Sequence, residues 1–168
     1  ADFVVPRKAD ITKKRSQGEK RVERSFDSTA MHSAELLSAS LHGMLTNPST
    51  AWFSLRFTNR ELDGNDEANE WLQSAEKVLY RAFARSNFQE QIHELYHDLV
   101  VFGTAVMMVE EDDDFMLRFS TRHISECYLS ENEHGRVDTV YREFKMPARS
   151  AINRFGKNNV PQKMLKKA

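Results

Sequence analysis

The sequence predicts an α+β fold: a helical N-terminal part packed with an antiparallel β-meander, followed by a short helix. Two observations carry this. From residue 25 to residue 102 apolar side chains recur mostly at three- and four-residue steps, the repeat of a helix face, whereas from Gly103 they alternate as in a strand. Helices come first and strands after, the order of an α+β chain rather than of repeated βαβ units. The chain accordingly divides into an N-terminal arm (1–24), a helical segment with one strand (25–102), an antiparallel β region (103–146) and a helical start (147–168).

The arm shows little periodicity and is broken by Pro6 and Gly18. Phe26, Ala30, Ala34, Leu37, Leu41 and Met44 then mark one face of a first helix, with Asp27 or Ser28 placed to cap it. Ser33, Ser38, Ala39 and Ser40 keep that helix slim, and Asn47-Pro48 ends the segment. Phe53, Leu55 and Phe57 alternate with polar residues and predict a half-buried strand, and Asp63-Gly64 reads as a turn. Ala68, Trp71, Leu72, Ala75, Val78, Leu79 and Ala82 predict a second helix, capped by Asn65 or Asp66. A third follows Asn87, with Phe88, Ile92, Leu95, Leu99 and Phe102 as its expected seam. Beyond Gly103, strands are expected at 104–109, 115–119, around Cys127–Leu129 and at 136–144. Pro147 opens a short helix, Ala148 to Phe155, with Gly156 after it.

The 168 residues suffice for one ordinary domain or two small ones, and 40% hydrophobic with 29% charged residues suits a soluble globular protein. No run approaches the ~20 apolar residues of a membrane span, and no leader opens the chain, so neither a membrane nor a secreted protein is expected. The single cysteine, Cys127, excludes an internal disulfide and suits a reducing compartment. The chain opens on Ala1, and Met164 to Ala168 reads as the first turns of an unfinished helix; a piece of a longer protein is expected.

The sharpest catalytic signal is His93-Glu94-Leu95-Tyr96-His97, which matches H-E-x-x-H on a predicted helix. In a zinc hydrolase His93 and His97 would be metal ligands and Glu94 the base acting on metal-bound water. No glycine and histidine follow at the spacing of the extended motif, and the two histidines flank the apolar seam among Glu90, Glu94 and Asp98. A polar helix flank is therefore the preferred reading, with the metallohydrolase kept as the alternative; no metal or other cofactor is expected.

Charge is unevenly spread although the formal net charge is only −1. Arg7, Lys8, Lys13, Lys14, Arg15, Lys20, Arg21 and Arg24 form a basic arm against Asp10, Glu19 and Glu23. From this arm Lys13, Lys14, Arg15, Lys20, Arg21 and Arg24 are candidates for contact with nucleic-acid phosphates or with a neighbouring subunit. A DNA-binding module working through the arm is a third functional reading. Glu110 to Asp114 lacks the alternating ligands and glycine of a calcium loop and reads as a hairpin tip. Cys127 has no CxxC partner and reads as a small buried strand residue. GxxxxGK[ST], GxGxxG and GxSxG are all missing, so no nucleotide-driven motor is indicated.

Three blocks carry a family resemblance. The first is Phe26-Asp27-Ser28-Thr29-Ala30, Ala34-Glu35-Leu36-Leu37, His42-Gly43-Met44-Leu45-Thr46-Asn47-Pro48-Ser49 and Trp52-Phe53-Ser54-Leu55. The second runs from Asp98 to Val106 and ends before the acidic turn. The third is Gly135-Arg136-Val137-Asp138-Thr139-Val140-Tyr141-Arg142-Glu143-Phe144-Lys145-Met146, with Arg154-Phe155-Gly156 after it. In this order and spacing they resemble the head-to-tail connecting, or portal, proteins of short-tailed phages.

The resemblance implies a structural, non-enzymatic subunit of a ring, commonly of twelve copies, at one vertex of the capsid. It implies terminase, capsid and tail proteins as partners, and double-stranded DNA passing through the channel without sequence readout. The place would be the virion, after assembly in the host cytoplasm. This chain would correspond to the N-terminal, wing part, so the resemblance transfers no functional residue.

Overall fold

The structure, a computed structural model, describes residues 1–6, 11, 16, 18–19 and 26–165. The chain forms two compact units, Ala1–Ser125 and Glu126–Ala168, in the α+β class expected from the sequence.

Among the described residues the first unit holds three α-helices and one hairpin: α1 Thr29–Leu45, α2 Asp66–Arg85, α3 Phe88–Phe102, β1 Val106–Asp112 and β2 Met116–Arg122. Asp27 starts α1 by accepting from the Thr29 amide at 2.9 Å, while Ser28, at the cap position, makes no side-chain cap bond. Asn65 caps α2 by accepting from Ala68 N–H at 3.2 Å. Asp66 and Glu67 in the first turn and Arg85 in the last complement the helix dipole. Gly103, at φ 73°, ends α3 in the left-handed conformation that glycine adopts without steric cost.

Segment 51–57 forms neither helix nor strand, and Trp52, Phe53, Leu55 and Phe57 are half-buried while Ser54 and Arg56 are exposed. The expected strand nevertheless pairs with no other strand among the described residues. Side chains of α2 take the partner's place: the Tyr80 hydroxyl accepts from Phe53 N–H at 2.9 Å and donates to Phe53 C=O at 2.7 Å, and the Glu76 carboxylate accepts from Leu55 N–H.

The core of this unit lies under α3. Phe88, Ile92, Tyr96 and Phe119 are its buried members, with Leu41, Trp52, Phe83, Leu95, Met107 and Leu117 packed around them. Trp52 lies parallel to Phe88 at 5.6 Å between ring centres, so it is a core residue. The seam of α3 differs from the expected one: Tyr96 and Asp98 are buried, and Leu99 is 42% exposed. α3 is covered by α1 and by β2; two neighbours bury a wider arc of a helix than one apolar stripe.

β1 and β2 pair antiparallel, with Val109 opposite Phe119 and Asp112 opposite Met116. The turn between them is closed by Asp112, whose Oδ1 accepts from the amides of Asp114 at 3.0 Å and Phe115 at 3.1 Å. Asp112 Oδ2 meets Arg118 at 3.1 Å, so part of the acidic run works as turn chemistry.

The second unit contains β3 Cys127–Glu131, β4 Val137–Arg142, α4 Ala148–Phe155 and a single turn, α5 Gln162–Leu165. β3 and β4 pair antiparallel with a bulge at Ser130/Glu131. The expected meander is therefore two separate two-stranded sheets, divided by a 3₁₀ turn at Ile124–Glu126. Asn132 shapes the hairpin by accepting from the amides of His134 and Arg136 at 2.9 and 3.0 Å. Arg142 Nε and Nη2 both reach Glu126 Oε2 at 2.9 Å, and the guanidinium lies 4.0 Å from the centre of the Phe144 ring, a cation–π contact. α4 has the bounds expected from Pro147 and Gly156. Cys127 is half-buried rather than buried.

Candidate functional site

The H-E-x-x-H segment lies on the side of α3 that packs against α1. The one-turn spacing places His93 and His97 on the same face, as the helical period requires, and both point at one carboxylate of α1. His93 Nε2 is 3.2 Å from Glu35 Oε1, and His97 Nε2 is 3.8 Å from Glu35 Oε2. One turn N-terminal of His93, Gln89 Oε1 lies 2.7 Å from His42 Nε2, so a third histidine joins the seam from α1. The His42 ring is 5.7 Å from that of His93 and 6.3 Å from that of Tyr96.

Glu35 and His42 are the residues that sequence reasoning missed. A signal was available: Glu35 is the only acidic or basic residue, histidines aside, in the whole of α1. It lies two turns from His42, on the same face. Glu35 stands opposite the two histidines where a third metal ligand would have to stand. Among the described residues, however, no group of three or more His, Cys, Asp or Glu side chains is arranged to hold a metal ion. Tyr96, inside the motif, is only 8% exposed and belongs to the hydrophobic core. The motif thus divides into a core anchor and a polar flank that docks α1.

The opposite side of α3 is stitched to β2. Asn87 donates from Nδ2 to Phe119 C=O at 2.8 Å and accepts at Oδ1 from Phe119 N–H at 2.9 Å. Asn87 occupies the N-cap position yet makes no side-chain cap bond, because its amide is committed to the strand. Gln91 continues the pattern, accepting from Thr121 N–H at 2.6 Å while its own carbonyl accepts from the Thr121 hydroxyl at 2.7 Å. An open, mainly polar groove of about 760 Å³ runs between segment 54–56 and α2, with Ser54, Arg56, Asp66, Asn69, Gln73 and Glu76 on its walls.

The basic candidates Lys13, Lys14, Arg15, Lys20, Arg21 and Arg24 lie outside the described residues. Among the described residues no helix is long and apolar enough to cross a membrane.

What these arrangements offer is packing, turn closure and helix docking, the chemistry of a framework. The family model for the bacteriophage head to tail connecting protein matches residues 1–168. The chain is 30% identical over 159 residues to a probable portal protein of Bordetella phage BPP-1, covering 94% of this chain and 29% of that protein. It is 29% identical over 161 residues to a portal protein of Salmonella phage epsilon15, covering 95% of this chain and 29% of that protein. It therefore spans less than a third of the length of these curated relatives. With the family match running from the first residue to the last, the chain belongs to the bacteriophage head to tail connecting protein family.

Proposed function

We propose that this chain is part of a portal subunit: a structural, non-enzymatic component of the ring that joins phage head to tail and gives DNA its channel into and out of the capsid. The observation that carries the reading is the end-to-end family match, joined by two relatives named as portal proteins. The polar groups described above support it, since they are engaged in holding elements together. In this reading copies of the protein close into a ring, commonly of twelve, through head-to-tail contacts between unlike surfaces. Its partners are terminase, capsid and tail proteins, and its place is the portal vertex of a virion assembled in the host cytoplasm. DNA slides through by shape and charge without base readout.

The basic residues Lys13, Lys14, Arg15, Lys20, Arg21 and Arg24 contact DNA phosphates or an adjacent subunit in this scheme. Reversing their charges is expected to weaken DNA retention or ring assembly; if both are unchanged, that role is refuted. The experiment that tests the main reading is native mass spectrometry of the whole protein with electron microscopy of the same sample. A closed ring with an open channel is expected, and a protein monomeric at all concentrations would overturn the reading.

A further inference from the structure

We propose that the exposed face of α4, with the turn and helix that follow it, is a contact for the phosphodiester backbone of nucleic acid, made without reading sequence. The proposal deepens the reading above and rests on it for the choice of double-stranded DNA. Residues 144–165 carry Lys145, Arg149, Arg154, Lys157 and Lys163 and not one Asp or Glu, although the whole chain balances 24 basic against 25 acidic residues. All five of these basic residues are exposed.

The helical period sorts α4 into two sides. Ala148, Ala151, Ile152 and Phe155 fall on one, where Ala151 is 3% exposed. Arg149, Ser150, Asn153 and Arg154 fall on the other, all of them exposed. Beyond Gly156 a 3₁₀ turn, Lys157–Asn159, packs against α4, and Asn159 Nδ2 donates to Phe155 C=O at 2.9 Å. α5 packs against α4 as well, so Lys157 and Lys163 are held beside the helix.

Three features fit this face to phosphates. Every side chain on it can donate a hydrogen bond, and arginine, lysine, serine and asparagine are the types that meet phosphate oxygens. Arg149 stands in the first turn, where the helix dipole disfavours a cation and no acidic residue offsets it. Helix energetics therefore do not account for Arg149, whereas Arg154, in the last turn, does complement the dipole. The cationic face also carries no aromatic or large aliphatic side chain, because Ile152 and Phe155 belong to the other side. A protein partner needs such an apolar anchor at the centre of its contact. A polyanion binds by releasing counterions and needs only charge.

The test measures binding of the whole protein to short fluorescent DNA duplexes of two unrelated sequences, by anisotropy across a salt series. One variant combines Arg149→Gln with Arg154→Gln. A second, Lys157→Gln with Lys163→Gln, leaves α4 untouched and reads the same surface should the first lower the melting temperature. The expected result is equal affinity for both sequences and, in each folded variant, affinity about tenfold weaker or more at roughly 0.1 M salt. The slope of log affinity against log salt should become shallower by about 1 for each cation removed. Unchanged affinity and slope in the folded variants would overturn the proposal. So would duplex binding that survives in variants that have lost binding to polyglutamate, since the face would then belong to an acidic protein. Rings whose DNA affinity ignores these residues would overturn this proposal alone. A protein that binds the duplex through them and never closes into a ring would support it and refute the ring reading.

Discussion

Asn87 offers the most decisive test of how the helical part is joined to the hairpin. Replacing it by alanine removes a donor and an acceptor that serve the two backbone groups of Phe119, at 2.8 and 2.9 Å. Phe119 is 5% exposed, so neither of these groups regains water easily. Each intramolecular hydrogen bond contributes about 1 kcal/mol net, and a buried polar group left without a partner costs about 1–3 kcal/mol. The expected loss is about 2–4 kcal/mol, or roughly 5–10 °C in melting temperature for a chain of this size. Because the Asn87 side chain makes no cap bond, the loss cannot be assigned to a weakened N-terminus of α3. Asn87→Asp keeps the acceptor but sets a carboxylate against the Phe119 carbonyl, and it is expected to be no more stable than the alanine variant. Urea unfolding followed by far-UV circular dichroism gives the midpoint, and amide exchange at Phe119 gives the local effect. A change below about 0.5 kcal/mol, with Phe119 still protected, would refute this account of the junction.

Three further outcomes follow from the same contacts. Tyr80→Phe deletes both bonds to the Phe53 backbone and is expected to cost about 1–2 kcal/mol; Trp52 emission should shift to the red as segment 51–57 loosens, and an unchanged spectrum and midpoint would contradict the clamp. Asp112→Ala removes the two turn bonds and the contact to Arg118 and is expected to cost about 1–2 kcal/mol, read by chemical denaturation. A wild-type midpoint in that variant would show that the β1–β2 turn closes without its aspartate. His93→Ala and His97→Ala, whose side chains are 35% and 20% exposed beside a Glu35 that is 60% exposed, are expected to cost less than about 1 kcal/mol each. Metal analysis of the unaltered protein and of both variants would refute this view of the motif if one zinc per chain were present and lost on substitution.

Sequence patterns located the helices because each announces itself locally. Asn65 caps α2 where a short side-chain oxygen was expected, and Gly103 ends α3 where the period changes. α4 begins after Pro147 and stops before Gly156 because the fixed φ of proline and the freedom of glycine act within one or two residues. The unpaired state of segment 51–57 was not legible. Alternation reports which side chains are buried, and Phe53 and Leu55 alternate in the same way against a helix as against a sheet. What replaces a partner strand, Tyr80 and Glu76, lies more than twenty residues away. The rotated seam of α3 has a similar origin. Period alone marks a stripe, and burial of Tyr96 and Asp98 depends on α1 and β2 arriving from two sides. The division of the meander into two hairpins is set at Ile124–Glu126, which carries neither glycine nor proline.

The histidine motif shows why letters on a helix do not specify chemistry. Any pair of histidines one turn apart shares a face, so the spacing of His93 and His97 guarantees proximity and nothing more. What the pair does is decided by the opposing surface, which belongs to a helix more than fifty residues earlier in the chain. Glu35 meets both rings there, and His42 extends the polar seam to Gln89. Between them Tyr96 enters the core, so a residue inside the motif helps set the helix rotation that turns His93 and His97 toward α1. A hydrolytic centre would need those rings to converge on a metal with an open coordination position and room for substrate. Here the same rings face the Glu35 carboxylate of a docked helix. The segment is better understood as the polar edge of a packing surface, with Glu35 of α1 set against both rings.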